Sequence, residues 1–117
     1  MLSMNQIAEA IEQEGRRLGK LAEETASIAQ AAAEAEADYK VEFAKARMKF
    51  RDDAAGRGVK VTVDQVEDHA TLEASVSLRN YLVQRESLTA IRSAQRASES
   101  RLDGLRSLMS SYRGAGA

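Results

Sequence analysis

The stretch AAGRGVKV, residues 54–61, is the one strong break in a sequence otherwise built to stay helical. Proline, which removes a backbone donor and clashes with the preceding helical turn, is absent from all 117 positions. Within the break, Gly56 and Gly58 suit a helix end, because glycine takes left-handed backbone angles without a Cβ penalty. A restart follows in VTVDQV. Thr62 fits an N-cap, Gln65 stands three residues on to complete a capping box, and Val61 and Val66 occupy the two positions of a hydrophobic staple. Asp64, Glu67 and Asp68 fall in the early turns, where the helix dipole favours negative charge. The chain therefore reads as one domain over 1–117, with helix one about 4–55, a turn about 56–61 and helix two about 62–113.

Apolar spacing decides which faces these helices bury. Before the break, Met4, Ile7, Ile11, Leu18, Leu21, Ile28, Ala32, Tyr39, Phe43, Ala46 and Phe50 recur at steps of three, four and seven, which is one helix face. The register slips by one between Ala35 and Phe43, like a stutter in a heptad pattern. After the break the face carries Val66, Ala70, Ala74, Leu78, Tyr81, Leu88, Ile91, Leu102, Leu105, Met109 and Tyr112. A second, weaker stripe runs through Leu72, Val76, Val83, Ala90 and Ala97. A belt on two sides exceeds what one partner helix covers. Helices of about 50 residues, roughly 75 Å each, also leave more apolar surface than a comfortable monomer carries. The expected fold is all-α: a long antiparallel two-helix hairpin, coiled-coil-like, assembling into a homo-oligomeric helical bundle.

Charge supports the antiparallel arrangement. Residues 9–38 hold eight acids against three bases, and residues 39–60 hold seven bases against three acids. Residues 61–78 hold four acids and no base, and residues 79–113 hold seven arginines against three acids. Folding at Gly56–Gly58 sets each acidic block beside a basic one. Four of the arginines, Arg85, Arg92, Arg106 and Arg113, keep a spacing of seven. With Tyr81, Leu88, Leu102 and Met109 at heptad position a, they fall at e, a usual place for interhelical ion pairs. The ladder therefore reads mainly as half of an internal zipper. Arg79 and Arg96 should point outward, and Arg101 lies at the other seam edge. Gly15, Gly19 and Gly104 would share one level near the open end, which suggests either a close helix approach or tolerated surface glycines.

Several chemistries find no support. The net charge of −1 gives the whole chain no field that would draw it to DNA or an acidic membrane. Cysteine is absent, which removes disulfides and thiolate metal sites. No basic start followed by an apolar run marks a secretory signal, and no window reaches the ~18 apolar residues of a membrane span, so the expectation is a cytoplasmic protein. GRRLGKL is not a phosphate loop, since three residues rather than four separate its glycines and Leu21 stands where Ser or Thr is needed. His69 is the only histidine and reads as a surface or interface residue. Asp52, Asp53, Asp64, Glu67 and Asp68 gather near the turn, but Arg51, Arg57 and Lys60 beside them favour solvated salt bridging over a metal. No enzyme, metal, cofactor or small-molecule substrate is expected.

DYKVEFAKARMKFR, followed by VEDHATLEASVSLRNYLVQRESLTAIRSAQRASESRLDGLRSLMSSYR, resembles small all-helical bacteriophage early proteins of the kind encoded near single-strand annealing and recombination genes. In that group a Tyr-Lys segment precedes the turn, and an arginine-studded helix ends in Leu-Arg-(Ser/Thr)-Leu, here Leu105-Arg106-Ser107-Leu108. The resemblance covers roughly residues 37–113. It implies a non-enzymatic accessory role in DNA recombination or replication in the host cytoplasm, as an oligomeric scaffold or mediator holding single strands or their binding proteins. It carries no residue roles.

Two functional readings follow. In the first, Arg79, Arg96, Arg101, Lys45, Lys49 and Arg51 form the surface for nucleic acid or a partner, and backbone contacts would make binding strongly salt-dependent. The expected partners are the chain itself and single-stranded DNA or a DNA-binding protein. In the second, the chain is a protein-interaction module (assembly scaffold, chaperone or inhibitor of a host protein) without nucleic-acid contact. The secreted WXG-type hairpins have similar length, but the turn here reads GRG with no Trp, which weighs against them. In both, Ile11, Leu18, Leu21, Ile28, Tyr39, Phe43, Phe50, Leu78, Tyr81, Leu88, Ile91, Leu102, Leu105 and Met109 make the seam.

Overall fold

The computed structural model describes residues 2–116, and it is all-helical over them. Three helices follow in order: α1 (Met4–Gly56), α2 (Val63–Glu73) and α3 (Ser75–Gly116). The expected second helix is thus two helices, because Ala74 leaves helical angles (φ −93°, ψ 14°) while sitting 1 % exposed. Its N–H bonds back to Ala70 and Leu72 carbonyls, and its own carbonyl accepts from Leu78 N–H at 2.9 Å. The bonds to Ala70 and from Leu78 keep the i→i−4 spacing, so the helical ladder continues through the break, with no Gly or Pro to announce it in the sequence. The register slip at Ala35–Phe43 leaves α1 unbroken, and Ala35 itself is buried.

Local chemistry accounts for the ends. At the turn, Val59 N–H bonds to Ala54 O (2.9 Å) and Gly58 N–H to Ala55 O (3.1 Å). This pair of bonds is the Schellman closure, which needs a left-handed residue at its centre. Gly58 supplies it with φ +66°, whereas Gly56 remains inside α1. Thr62 then caps α2: its Oγ1 accepts from Gln65 N–H (3.1 Å) while Thr62 N–H donates to Gln65 Oε1 (2.9 Å). Val66, at the staple position, is 2 % exposed. A second reciprocal cap opens α1, where Ser3 N–H donates to Gln6 Oε1 (2.8 Å) and Gln6 N–H to Ser3 Oγ (3.2 Å).

The chain divides into two compact units, Met1–Ser27 with Leu88–Ala117, and Ile28–Ser87. In the first unit the partners run antiparallel: Leu2 meets Tyr112, Glu14 meets Arg101 and Thr25 meets Gln95. Its core is Ile7, Leu102 and Met109, with Ser98 fully enclosed. In the second unit Tyr39 meets Tyr81, Glu42 meets Ser77, Arg47 meets Glu67 and Phe50 meets His69, again antiparallel. Its core is Ala32, Ala35, Ala54, Val66, Ala70 and Ala74, so helices there approach through small side chains.

Candidate interaction surfaces

In the first unit, polar contacts are organised around Glu14, whose side chain is only 13 % exposed. Arg101 Nε donates to Glu14 Oε1 at 2.6 Å, and Ser98 Oγ donates to the same oxygen at 3.1 Å. The guanidinium bond, opposed by burial and reinforced by the Ser98 hydroxyl, holds the Glu14 carboxyl below its ordinary value. Arg101, placed by its sequence position in the candidate partner surface, is thus engaged by its own molecule. Nearby, Thr25 Oγ1 lies 2.6 Å from Leu21 O and 3.0 Å from Gln95 Oε1. A hydroxyl has one proton to give. With that proton on the Leu21 carbonyl, the Gln95 amide satisfies the pair when turned so that its NH₂ donates to Thr25.

The zipper reading of the arginine ladder does not hold in the first unit. Arg92, Arg106 and Arg113 are exposed, and among the described residues no acid pairs with them. The missing rung of the seven-residue spacing is Glu99, also exposed. The reason lies in the energetics of exposed pairs, which gain only ~0–1 kcal/mol against the entropy of fixing two long side chains. Arg101, at the opposite seam edge beside a half-enclosed carboxylate, gains more from pairing than an e-position arginine in open water. The same stretch of α3 leaves three candidate cations along one side, spread over roughly 32 Å of helix from Arg92 to Arg113. Arg96 is exposed beside them.

The close approach considered for Gly15, Gly19 and Gly104 is absent: a Cβ built at any of them meets nothing within 4 Å. At Gly104 the missing side chain leaves an open notch of about 400 Å³. Ala10, Gln13, Glu14, Arg101, Leu105 and Leu108 complete its lining.

In the second unit, the aromatic residues assigned to the seam lie there. Tyr39 stacks on Tyr81 with ring centroids 6.1 Å apart and tilts against Phe43 at 5.8 Å. Phe50 stacks on His69 at 4.4 Å, which makes the lone histidine an interface residue; its Nε2 lies 4.0 Å from Glu73 Oε1. Arg47 pairs with Glu67 at 3.1 Å and lies over the Phe43 ring. Its enclosed Nε does not aim its hydrogen at an acceptor, so the contact is Coulombic rather than a directed hydrogen bond. Arg85, the one ladder residue in this unit, stands over the Tyr81 ring at 5.4 Å. Lys45, Lys49, Arg51 and Arg79 are exposed, and no acid pairs with them among the described residues. Lys40 instead bonds Glu36 one turn back at 2.8 Å, which raises its pKa.

The second apolar stripe has nothing over it in this unit. Leu72, Val76 and Val83 are 74 %, 77 % and 55 % exposed. On α1, Val41 and Met48 are exposed as well, seven residues apart and hence on one face. Sequence reading missed this second row because it grouped apolar residues by the dominant seam alone. It missed the Glu14–Ser98–Arg101 cluster for another reason: three residues on two helices meet only once the pairing register is set. Among the described residues, no group of three or more His, Asp or Glu side chains is gathered to hold a metal ion. No helix of the described residues is long and apolar enough to cross a membrane.

With this geometry in view, comparison to known proteins adds no relative. No protein-family model, no curated protein and no solved structure matches the chain.

Proposed function

We propose that the chain is a non-enzymatic, self-associating helical scaffold or mediator that serves phage-type DNA recombination or replication. The observation that carries this reading is the row of exposed arginines on α3, Arg92, Arg106 and Arg113, which no acid of the described residues neutralises. Arginines so placed suit the phosphates of a single strand or an acidic face of its binding protein. With a net charge of −1, attraction depends on this local row and not on the molecule's overall field. The test is fluorescence anisotropy with a labelled single-stranded oligonucleotide at about 50 and 200 mM salt. Contacts to several phosphates should give binding at the lower salt and a loss of tenfold or more at the higher. No binding at the lower salt rejects direct DNA contact.

The second reading, a protein-interaction module without nucleic-acid contact, draws on the exposed apolar rows of the second unit and the notch beside Gly104. Exposed apolar side chains of this extent suit a protein partner more than a phosphate backbone. Under this reading the chain ignores the oligonucleotide at both salt concentrations but still assembles or captures a protein.

A further inference from the structure

We propose that the exposed face of α2 and α3 bearing Leu72, Val76, Arg79, Val83 and Glu86 docks a second copy of this chain in antiparallel orientation, each Arg79 against the partner subunit's Glu86. This rests on the scaffold reading above and adds the surface, the partner and the orientation.

The apolar part comes first. Val76 and Val83 stand seven residues apart on α3, which brings them within about 20° of one helix face. At 77 % and 55 % exposed they are among the least covered large apolar side chains of the second unit, with Leu72 one turn before Val76 at 74 %. Leu82, 38 % exposed, borders the row beside Val83. Such a row in contact with water disfavours the isolated chain and favours packing against another helix.

The charges select the occupant. Arg79 follows Val76 by three and Glu86 follows Val83 by three, so both flank the valines on the same side of the helix. Neither has a partner among the described residues. Nor does their own helix offer one: the positions three and four away from Arg79 are Ser75, Val76, Leu82 and Val83, and those around Glu86 are Leu82, Val83, Thr89 and Ala90. The two are themselves about 10 Å apart along the axis, beyond a direct contact. A face with one cation and one anion on either side of an apolar centre is complementary to itself under a twofold axis. In the antiparallel pairing the axis passes near Val83, so the Val83 side chains of the two copies meet, Val76 packs farther along the partner helix, and two Arg79–Glu86 contacts form at once. A parallel pairing sets Arg79 against Arg79 and Glu86 against Glu86, and like charges placed together oppose it.

Sedimentation equilibrium on the full chain across the micromolar range tests this with four proteins: the parent, Arg79→Glu, Glu86→Arg and the double exchange. Both substituted positions are exposed, and circular dichroism checks that each variant keeps its helix content. The parent should be a dimer or a multiple of one. Each single reversal creates two like-charge contacts and should weaken association by roughly tenfold or more, and the double exchange should regain most of that loss, since the face becomes complementary again. Single reversals that leave association unchanged, or a double exchange that recovers nothing, would overturn the proposed face while the scaffold reading stands on its other surfaces. A parent chain that stays monomeric at every concentration overturns both.

Discussion

Arg101 Nε lies 2.6 Å from Glu14 Oε1, the oxygen that also accepts the fully enclosed Ser98 hydroxyl. One carboxylate oxygen therefore ties two places on α3 to one on α1. Because the folded pKa of Glu14 lies below its ordinary value of 4.5, its contribution is complete above that value and is lost as pH falls through the folded pKa. Urea unfolding between pH 7 and pH 3 should show stability declining over the acid range. Glu14→Gln should flatten that decline and lower stability at pH 7. An acid profile unchanged by the substitution would place the sensitivity elsewhere. At the alkaline end the sign reverses for Lys40, raised by Glu36: its contribution is present below 10.5 and is lost as pH rises through the folded value.

Gly15, Gly19 and Gly104 sit inside helices with open space where a Cβ would go. Alanine restores helix propensity and removes unfolded-chain freedom without a clash. Each Gly→Ala change should stabilise by about 0.5–1 kcal/mol, and the three should add nearly independently. Thermal melts followed at 222 nm measure this. A destabilising Gly104→Ala would mean that its notch is filled by something the single chain does not supply.

The two glycines of the turn should respond in opposite ways. Gly58 holds φ +66°, where an alanine costs about 1–2 kcal/mol. Gly56 lies within α1 at helical angles, and alanine there should be neutral or slightly stabilising. Denaturant melts of Gly58→Ala and Gly56→Ala, compared side by side, decide whether the Schellman closure at Ala54–Val59 sets the turn.

Thr62 and Gln65 satisfy each other's backbone donors at the start of α2. Thr62→Ala should cost about 1 kcal/mol, whereas Thr62→Ser, which keeps the hydroxyl acceptor, should cost little. Hydrogen exchange at Gln65 N–H gives a local readout, and its protection should fall only in the alanine variant.

The helical class, the turn and the cap at Thr62 were legible because each is set by neighbours in sequence: glycine at a left-handed position, a hydroxyl three residues from an amide, apolar steps of three and four. The seam face was legible for the same reason, but which seam residues meet, Tyr39 with Tyr81 and Phe50 with His69, was decided by the pairing register. Local signals also failed in places. Ser3 and Gln6 form a reciprocal cap whose pattern was present in the sequence and was passed over. The break at Ala74 has no local signal at all, since alanine is the best helix former and its angles there are adopted in a buried position where the surroundings decide.

What the sequence by itself determined is the set of helix faces and the order of charges along them. What only the tertiary structure decided is which charges meet. Heptad position nominated Arg85, Arg92, Arg106 and Arg113 for a zipper, yet Arg101 took the enclosed carboxylate and Arg85 settled over Tyr81. A charged side chain long enough to reach several partners is not fixed by spacing. It goes where a neighbour is held half out of water, and that depends on the register in which two distant stretches of helix pack.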